Sequence, residues 1–281
     1  MQGTATSRLR RGFVLSPHGN IEYFEVGSGE PLVMLHSTPN SCMAYRDVAP
    51  LLAGDLRAIA MSTMGYGQSD RPPAPYTTLT EFARAVTWLL DGLGLERASI
   101  YGNSTGSQIA LALAAEFPER VDRLILEEVF NWGTPSRRAV HERLHRYYDE
   151  SPDGSHLLDL WRKVGGDRDG SDLKRTSERF LNNLIVNSTE GAEVYGEMGW
   201  EGAGPYAMTH LDIWESASRV RAPTLVIHGT TSQLGRSHEK FLATIPDARG
   251  VRLPSSGNFK PEQAPELWLE EVRSFLSDGG R

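Results

Sequence analysis

One cysteine, Cys42, stands in 281 residues, which excludes an intramolecular disulfide and any zinc site built from several thiolates. It is expected to be a small core residue. No apolar run is long enough to cross a bilayer, and Met1 to Ser7 lack the apolar segment of a secretory signal. Positive charge is also in short supply. A formal net charge of −7 argues against an electrostatic grip on nucleic acid or on an anionic membrane. The cluster Arg8-Leu9-Arg10-Arg11 is read as a solvated tail. No metal, nucleotide or flavin motif occurs, so no cofactor is expected, and no internal repeat or low-complexity tract is visible. What remains is a folded globular chain suited to a small-molecule substrate and compatible with a reducing cytoplasm. Homodimerisation stays open.

The order of elements is more informative. Residues 12–15 and 21–26, split by Pro17-His18-Gly19-Asn20, predict an opening antiparallel hairpin, the second strand alternating as a half-exposed one does. Short apolar runs follow at 31–35 and 56–61, of the kind that suits strands covered on both faces. Apolar residues from Phe82 to Leu93 recur at helical spacing, with Thr80 as the expected cap. From about Asn131 to Ser218 the rhythm changes to charged amphipathic stretches with glycine joints at Gly165-Gly166 and Gly202-Ala203-Gly204. Strands then return at 223–227 and 250–253, alternating with helices at 237–243 and 261–276. This pattern predicts an α/β fold, a mostly parallel eight-stranded sheet flanked by helices. Residues 1–130 and 219–281 form its core, and 131–218 a helical cap inserted after the sixth strand.

Within that frame, Gly102-Asn103-Ser104-Thr105-Gly106 is a Gly-x-Ser-x-Gly pattern lying between a predicted strand, 98–101, and a predicted helix, 108–117. Such a strained turn lifts a serine oxygen above the sheet edge, while its glycines let helix and strand approach closely. In that context the pattern is a strong signal for a nucleophile elbow.

With its neighbours the elbow resembles the α/β-hydrolase fold superfamily, in particular its cap-bearing small-molecule branch of esterases, carbon–carbon hydrolases, haloperoxidases and haloalkane dehalogenases. The resemblance covers nearly the whole chain. It rests also on His36-Ser37-Thr38-Pro39, where the family usually has His-Gly-x-Pro, on Gly65-Tyr66-Gly67-Gln68-Ser69-Asp70, on Pro223 through Gly229, and on Phe259 through Glu266. It implies backbone oxyanion donors at Thr38 and Thr105, and a pocket bordered by His36, Ser37, Asn103 and Trp132. His36 is either a support behind the loop or a base.

The resemblance also implies a triad, and here the chain departs from it. The usual acid position carries Ser232, and the usual histidine position carries Asn258, an amide that neither takes up nor passes on a proton at neutral pH. Glu128, at the end of Leu124-Ile125-Leu126-Glu127-Glu128, lies where some members keep a substitute acid. One of Glu127 and Glu128 is expected to point inward and the other away, and both can equally be solvated strand-end charges. His238 is expected at the surface, while His141, His145, His156 and His210 lie in or near the cap. A serine hydroxyl without a base is a poor nucleophile. The leading expectation is therefore an enzyme that stabilises an oxyanion without covalent capture, with Ser104, Asn258, Glu128 and Ser232 at its centre. A serine hydrolase with Glu128 as acid and a relocated histidine, and a binding protein without catalysis, are the alternatives. The cap aromatics Trp132, Tyr147, Tyr148, Trp161, Trp200 and Tyr206 either form an apolar lid or pack the cap onto the sheet.

Overall fold

The computed structural model describes residues 8–131, 135–170, 172–255 and 259–278, with the backbone alone for 135–138. Eight strands, β1 (Arg10–Ser16), β2 (Gly19–Val26), β3 (Glu30–Leu35), β4 (Leu56–Met61), β5 (Ala98–Asn103), β6 (Val121–Glu127), β7 (Thr224–Gly229) and β8 (Ala248–Leu253), form one sheet. Its order is β1-β2-β4-β3-β5-β6-β7-β8. The first hairpin and the β2–β4 pair are antiparallel, and every later pair is parallel.

Helices cover both faces because the central strands are apolar on both. Along β3, Leu32 and Met34 face one core with Tyr101, Trp268 and Phe275, while Val33 and Leu35 face the other with Phe82, Leu89 and Ile109. The period-2 geometry of a strand makes that division. The flanking helices are α1 (Ala49–Leu52), α2 (Leu79–Gly92), α3 (Thr105–Glu116), α10 (His238–Thr244), α11 (Lys260–Gln263) and α12 (Pro265–Ser277). Between β6 and β7 the chain carries α4 (Pro135–Leu144), α5 (Ser155–Lys163), α6 (Leu173–Val186), α7 (Ala192–Tyr195), α8 (Ala203–Thr209) and α9 (Ile213–Arg219), the helical insertion expected after the sixth strand.

Three local expectations need correction. Helix α2 is capped by Thr78, whose side chain accepts from the Glu81 N–H while Glu81 reaches back to the cap. This reciprocal box satisfies two orphan donors and outcompetes Thr80. Arg10 and Arg11 are no solvated tail: they lie in β1 and pair with Glu25 (2.9 Å) and Glu22 (2.5 Å). Strand β2 is covered on both faces. Its Glu22 is buried because it also accepts from the Ser62 hydroxyl and the Gln68 N–H. Burial raises the Glu22 pKa, but these donors and Arg11 outweigh it and leave the carboxyl below its ordinary range.

Candidate functional site

The elbow begins where β5 ends. Ser104 sits at the N-terminus of α3 with φ 53°, a left-handed conformation rare for a residue with a side chain. Holding it there costs about 1–3 kcal/mol, which the surrounding packing must over-determine. The packing is close: a Cβ on Gly102 would run into the Gly106 carbonyl, and one on Gly106 into the Leu35 carbonyl. The Ser104 N–H donates to the Glu127 carbonyl at 2.9 Å, tying the turn to the end of β6. Ser104 itself is half-buried, so its hydroxyl remains reachable.

The loop after β3 lies beside it. His36 is buried, accepts the Thr63 N–H on Nε2 (3.1 Å) and donates from Nδ1 to the Ser37 carbonyl (3.1 Å). Those two bonds suit a neutral imidazole, and burial pushes its pKa down to about 4. Both ring nitrogens are thereby engaged in holding the loop. Ser37 Oγ accepts from Asn40 Nδ2, and the Thr38 N–H points to Thr105 Oγ1 at 3.3 Å. Thr38 and Thr105, the expected oxyanion donors, are therefore neighbours. The Thr105 N–H is one of the N-terminal donors of α3, which have no partner within the helix.

The insertion closes on this loop through Tyr66 and Gly204, which the sequence places in a family motif and in a glycine joint without a role at the site. Tyr66 is fully buried, and its hydroxyl meets the Thr38 side chain, accepts the Gly204 N–H at 3.0 Å and donates to the Glu201 carbonyl at 3.3 Å. Gly204 comes so near that a Cβ there would lie 2.8 Å from Thr38 Oγ1 and 3.1 Å from Thr105 Cγ2. The Gly202-Ala203-Gly204 joint thus marks a close approach of cap to elbow, a meaning its glycine spacing alone could have suggested.

Both glutamates at the end of β6 are buried, contrary to the expectation that one points away. The reason is backbone: Glu128 has φ 53°, which ends the strand alternation and turns its side chain back inward. Glu127 accepts from the Tyr101 hydroxyl (2.8 Å), Asn103 Nδ2 (3.0 Å) and the Lys260 N–H (2.8 Å). Burial nevertheless pushes its pKa up to about 7. Glu128 accepts from Lys260 Nζ (2.5 Å), the Gly229 N–H (2.7 Å) and the Ser232 hydroxyl (2.5 Å). Ser232 thus stands as a donor to the carboxylate from the loop after β7. Lys260, with its side chain wholly buried, was missed. Its only sequence signal is a charge set between the apolar Phe259 and Pro261. Asn258 and Trp132 lie outside the described residues.

All eight histidines of the chain are described, and among the described residues no hydrogen bond links an imidazole to Ser104 Oγ. His145 meets Glu201 at 2.9 Å, His156 accepts the Ser151 N–H, and His210 donates to the Tyr206 carbonyl. His141 is buried beside His145, with its pKa pushed down to about 3. His238 is buried rather than on the surface, because its Nδ1 meets His228 Nδ1 at 2.8 Å. His228 in turn donates to the Val129 carbonyl.

A cleft of about 310 Å³ opens beside the elbow. Ser37, Asn40 and Asn103 line its core side, and Arg175, Arg179 and Asn182 of α6 its cap side. Ion pairs span it: Arg46 to Glu178 at 2.7 Å and Arg175 to Glu262 at 2.9 Å. Such a lining suits a polar ligand. The cap aromatics mostly pack: Trp161 against Phe180, Tyr206 against His210, and Trp200 donating to the Gly65 carbonyl. Among the described residues no group of three or more His, Cys, Asp or Glu is placed to hold a metal ion, and no helix is long and apolar enough to cross a membrane. Cys42 is fully buried, and burial pushes its thiol up to about 12.

Comparison with known proteins gives these features their setting. The sequence pattern of the alpha/beta hydrolase fold matches residues 30–265. Haloalkane dehalogenase 2 of Mycobacterium tuberculosis (strain ATCC 25618 / H37Rv) is 26% identical over 274 residues, covering 89% of either chain. The 2-hydroxy-6-oxo-6-(2'-aminophenyl)hexa-2,4-dienoic acid hydrolase of Metapseudomonas resinovorans is 28% identical over 281 residues, covering 92% of this chain and 89% of that one. A hydrolase from Pseudomonas aeruginosa PA01 superposes with a TM-score of 0.75 at 24% identity, covering 95% of this chain and 98% of the other, and so shares the fold.

Proposed function

Because the chain belongs to the α/β-hydrolase fold family, we propose that it is an enzyme acting on a small, polar, carbonyl- or ester-like molecule through non-covalent oxyanion stabilisation. One observation carries this reading. Ser104 has no imidazole partner, while Glu128, the acid that would orient one, is committed to Lys260, Gly229 and Ser232. A serine hydroxyl in that state is a hydrogen-bond donor, not an activated nucleophile.

The chemistry then falls to fixed donors. A substrate carbonyl oxygen brought to the elbow meets the Thr105 N–H, and the Thr38 N–H exchanges Thr105 Oγ1 for it. Negative charge developing on that oxygen, as in an enolate, is stabilised by dipoles already in place, each worth about 10²–10³ in rate. Ser104 orients the oxygen, and the cap at Gly204 limits access of water. Isomerisation, cyclisation, elimination and carbon–carbon cleavage all need such stabilisation without acyl transfer. Similarity to a hydrolase named for an oxo-dienoic acid supports a carbonyl-bearing substrate, and the cleft beside the elbow, lined by amides and by guanidiniums paired with carboxylates, supports a polar one.

The test is covalent trapping. Purified protein incubated with p-nitrophenyl acetate and read by intact mass should show no acetyl adduct on Ser104. Accumulation of such an adduct, lost in Ser104→Ala, would establish acyl transfer and reject this reading.

A further inference from the structure

We propose that Lys260 is the positioning residue that ties up Glu128: its ammonium takes the place an imidazolium would hold, withholding the carboxylate from any base introduced at the elbow. This rests on the reading of Ser104 given above. Lys260 is gripped twice by consecutive residues. Its N–H donates to Glu127 Oε1 (2.8 Å), which also accepts from Asn103, the residue before Ser104. Its Nζ lies 2.5 Å from Glu128 Oε1, with both side chains wholly removed from solvent.

The ammonium is packed as well as paired, since a Cβ on Gly229 would come 3.0 Å from Nζ. The Gly229 N–H shares Oε1 with it, and the Ser232 hydroxyl takes Oε2. A carboxylate compensated in this way has little charge left to stabilise a second cation. A buried ion pair is not a strong source of stability, because desolvation consumes much of its attraction. Its consequence here is where the charge is spent. His228, the imidazole adjoining Gly229, is no substitute, because its ring is bound to the Val129 carbonyl and to His238.

The experiment restores a base with Lys260 present or absent. Asn258→His puts an imidazole at the position the family uses, and a fluorophosphonate probe reports activation. In labelling, the imidazole takes the Ser104 hydroxyl proton, the Oγ–P bond forms, the P–F bond breaks and fluoride leaves. Asn258→His alone should label no faster than the unmodified protein. Asn258→His/Lys260→Met should label about 100-fold faster or more, in keeping with general-base catalysis, at a rate rising with pH through the imidazole range near 6.5. Asn258→His/Lys260→Gln, which keeps a neutral donor to Glu128, covers the chance that the methionine variant fails to fold. Asn258→His/Lys260→Arg keeps the charge and should stay unlabelled.

Equal labelling of the single variant and the lysine-free double variants, fast or slow, overturns the role of Lys260, as does fast labelling of the arginine variant. Rapid labelling of the unmodified protein would instead remove the reading of Ser104 on which the proposal rests.

Discussion

The Thr38 N–H points to Thr105 Oγ1 across 3.3 Å, so the donor proposed for a substrate oxygen already rests on a neighbouring hydroxyl. Thr105 is buried and Thr38 half-buried, so the bond is partly shielded from water. Thr105→Val, which swaps the hydroxyl for a methyl of similar size, should destabilise the fold by about 0.5–1.5 kcal/mol, the net worth of one hydrogen bond to a half-buried donor. Thr105→Ser should retain most of the stability. Urea midpoints of the two variants check this.

Gly204→Ala should be costly as well. The added methyl meets Thr38 Oγ1 at 2.8 Å and Thr105 Cγ2 at 3.1 Å, so the threonine side chains or the cap must shift. Overpacking of this kind costs about 1–3 kcal/mol. Gly54→Ala is the control, since nothing lies within 4 Å of a Cβ there. Thermal unfolding should separate the two, and an equal shift would show that the cap does not press on Thr38.

These contacts mark where the sequence was legible and where it was not. Strands β3 to β7 could be read because their residues are mostly apolar and the sheet is covered on both faces there, whereas β8, at the edge with Arg249 and Arg252, was legible only over its second half. The elbow could be read because its glycines and Ser104 obey a local steric rule. The partner of Glu128 could not. It depends on the positive φ of Glu128, which sends two adjacent side chains inward, and on a lysine that intrinsic preference would leave in water. His238 was misread for the same reason, since its burial follows from a contact with His228 across the β7–α10 connection. Thr78, by contrast, was available from its spacing to Glu81.

Acid should weaken the fold through His36. Its folded pKa, about 4, lies below the unfolded value near 6.5, so the unfolded chain binds the proton first. Above about pH 6.5 the residue has no effect. As pH falls from about 6.5 to about 4 it should withdraw up to about 3 kcal/mol, and no more below that range. Chemical denaturation across this window, compared between the unmodified protein and His36→Gln, should show a shallower decline in the variant.

The ion pairs across the cleft should contribute little to global stability. Arg175 and Glu262 are both partly solvated, and exposed pairs are worth about 0–1 kcal/mol. Glu262→Gln should therefore leave the urea midpoint nearly unchanged while increasing hydrogen exchange in α6, whose guanidinium it releases. Unchanged exchange in α6 would show that the pair does not hold the cap side of the cleft.

The central claim is that Ser104 is a positioned hydroxyl rather than an activated nucleophile, and reaction of the unmodified protein with a fluorophosphonate probe at neutral pH tests it most directly. The account predicts that Ser104 stays unlabelled over incubations that saturate an active serine hydrolase. Rapid stoichiometric labelling of Ser104 would contradict it.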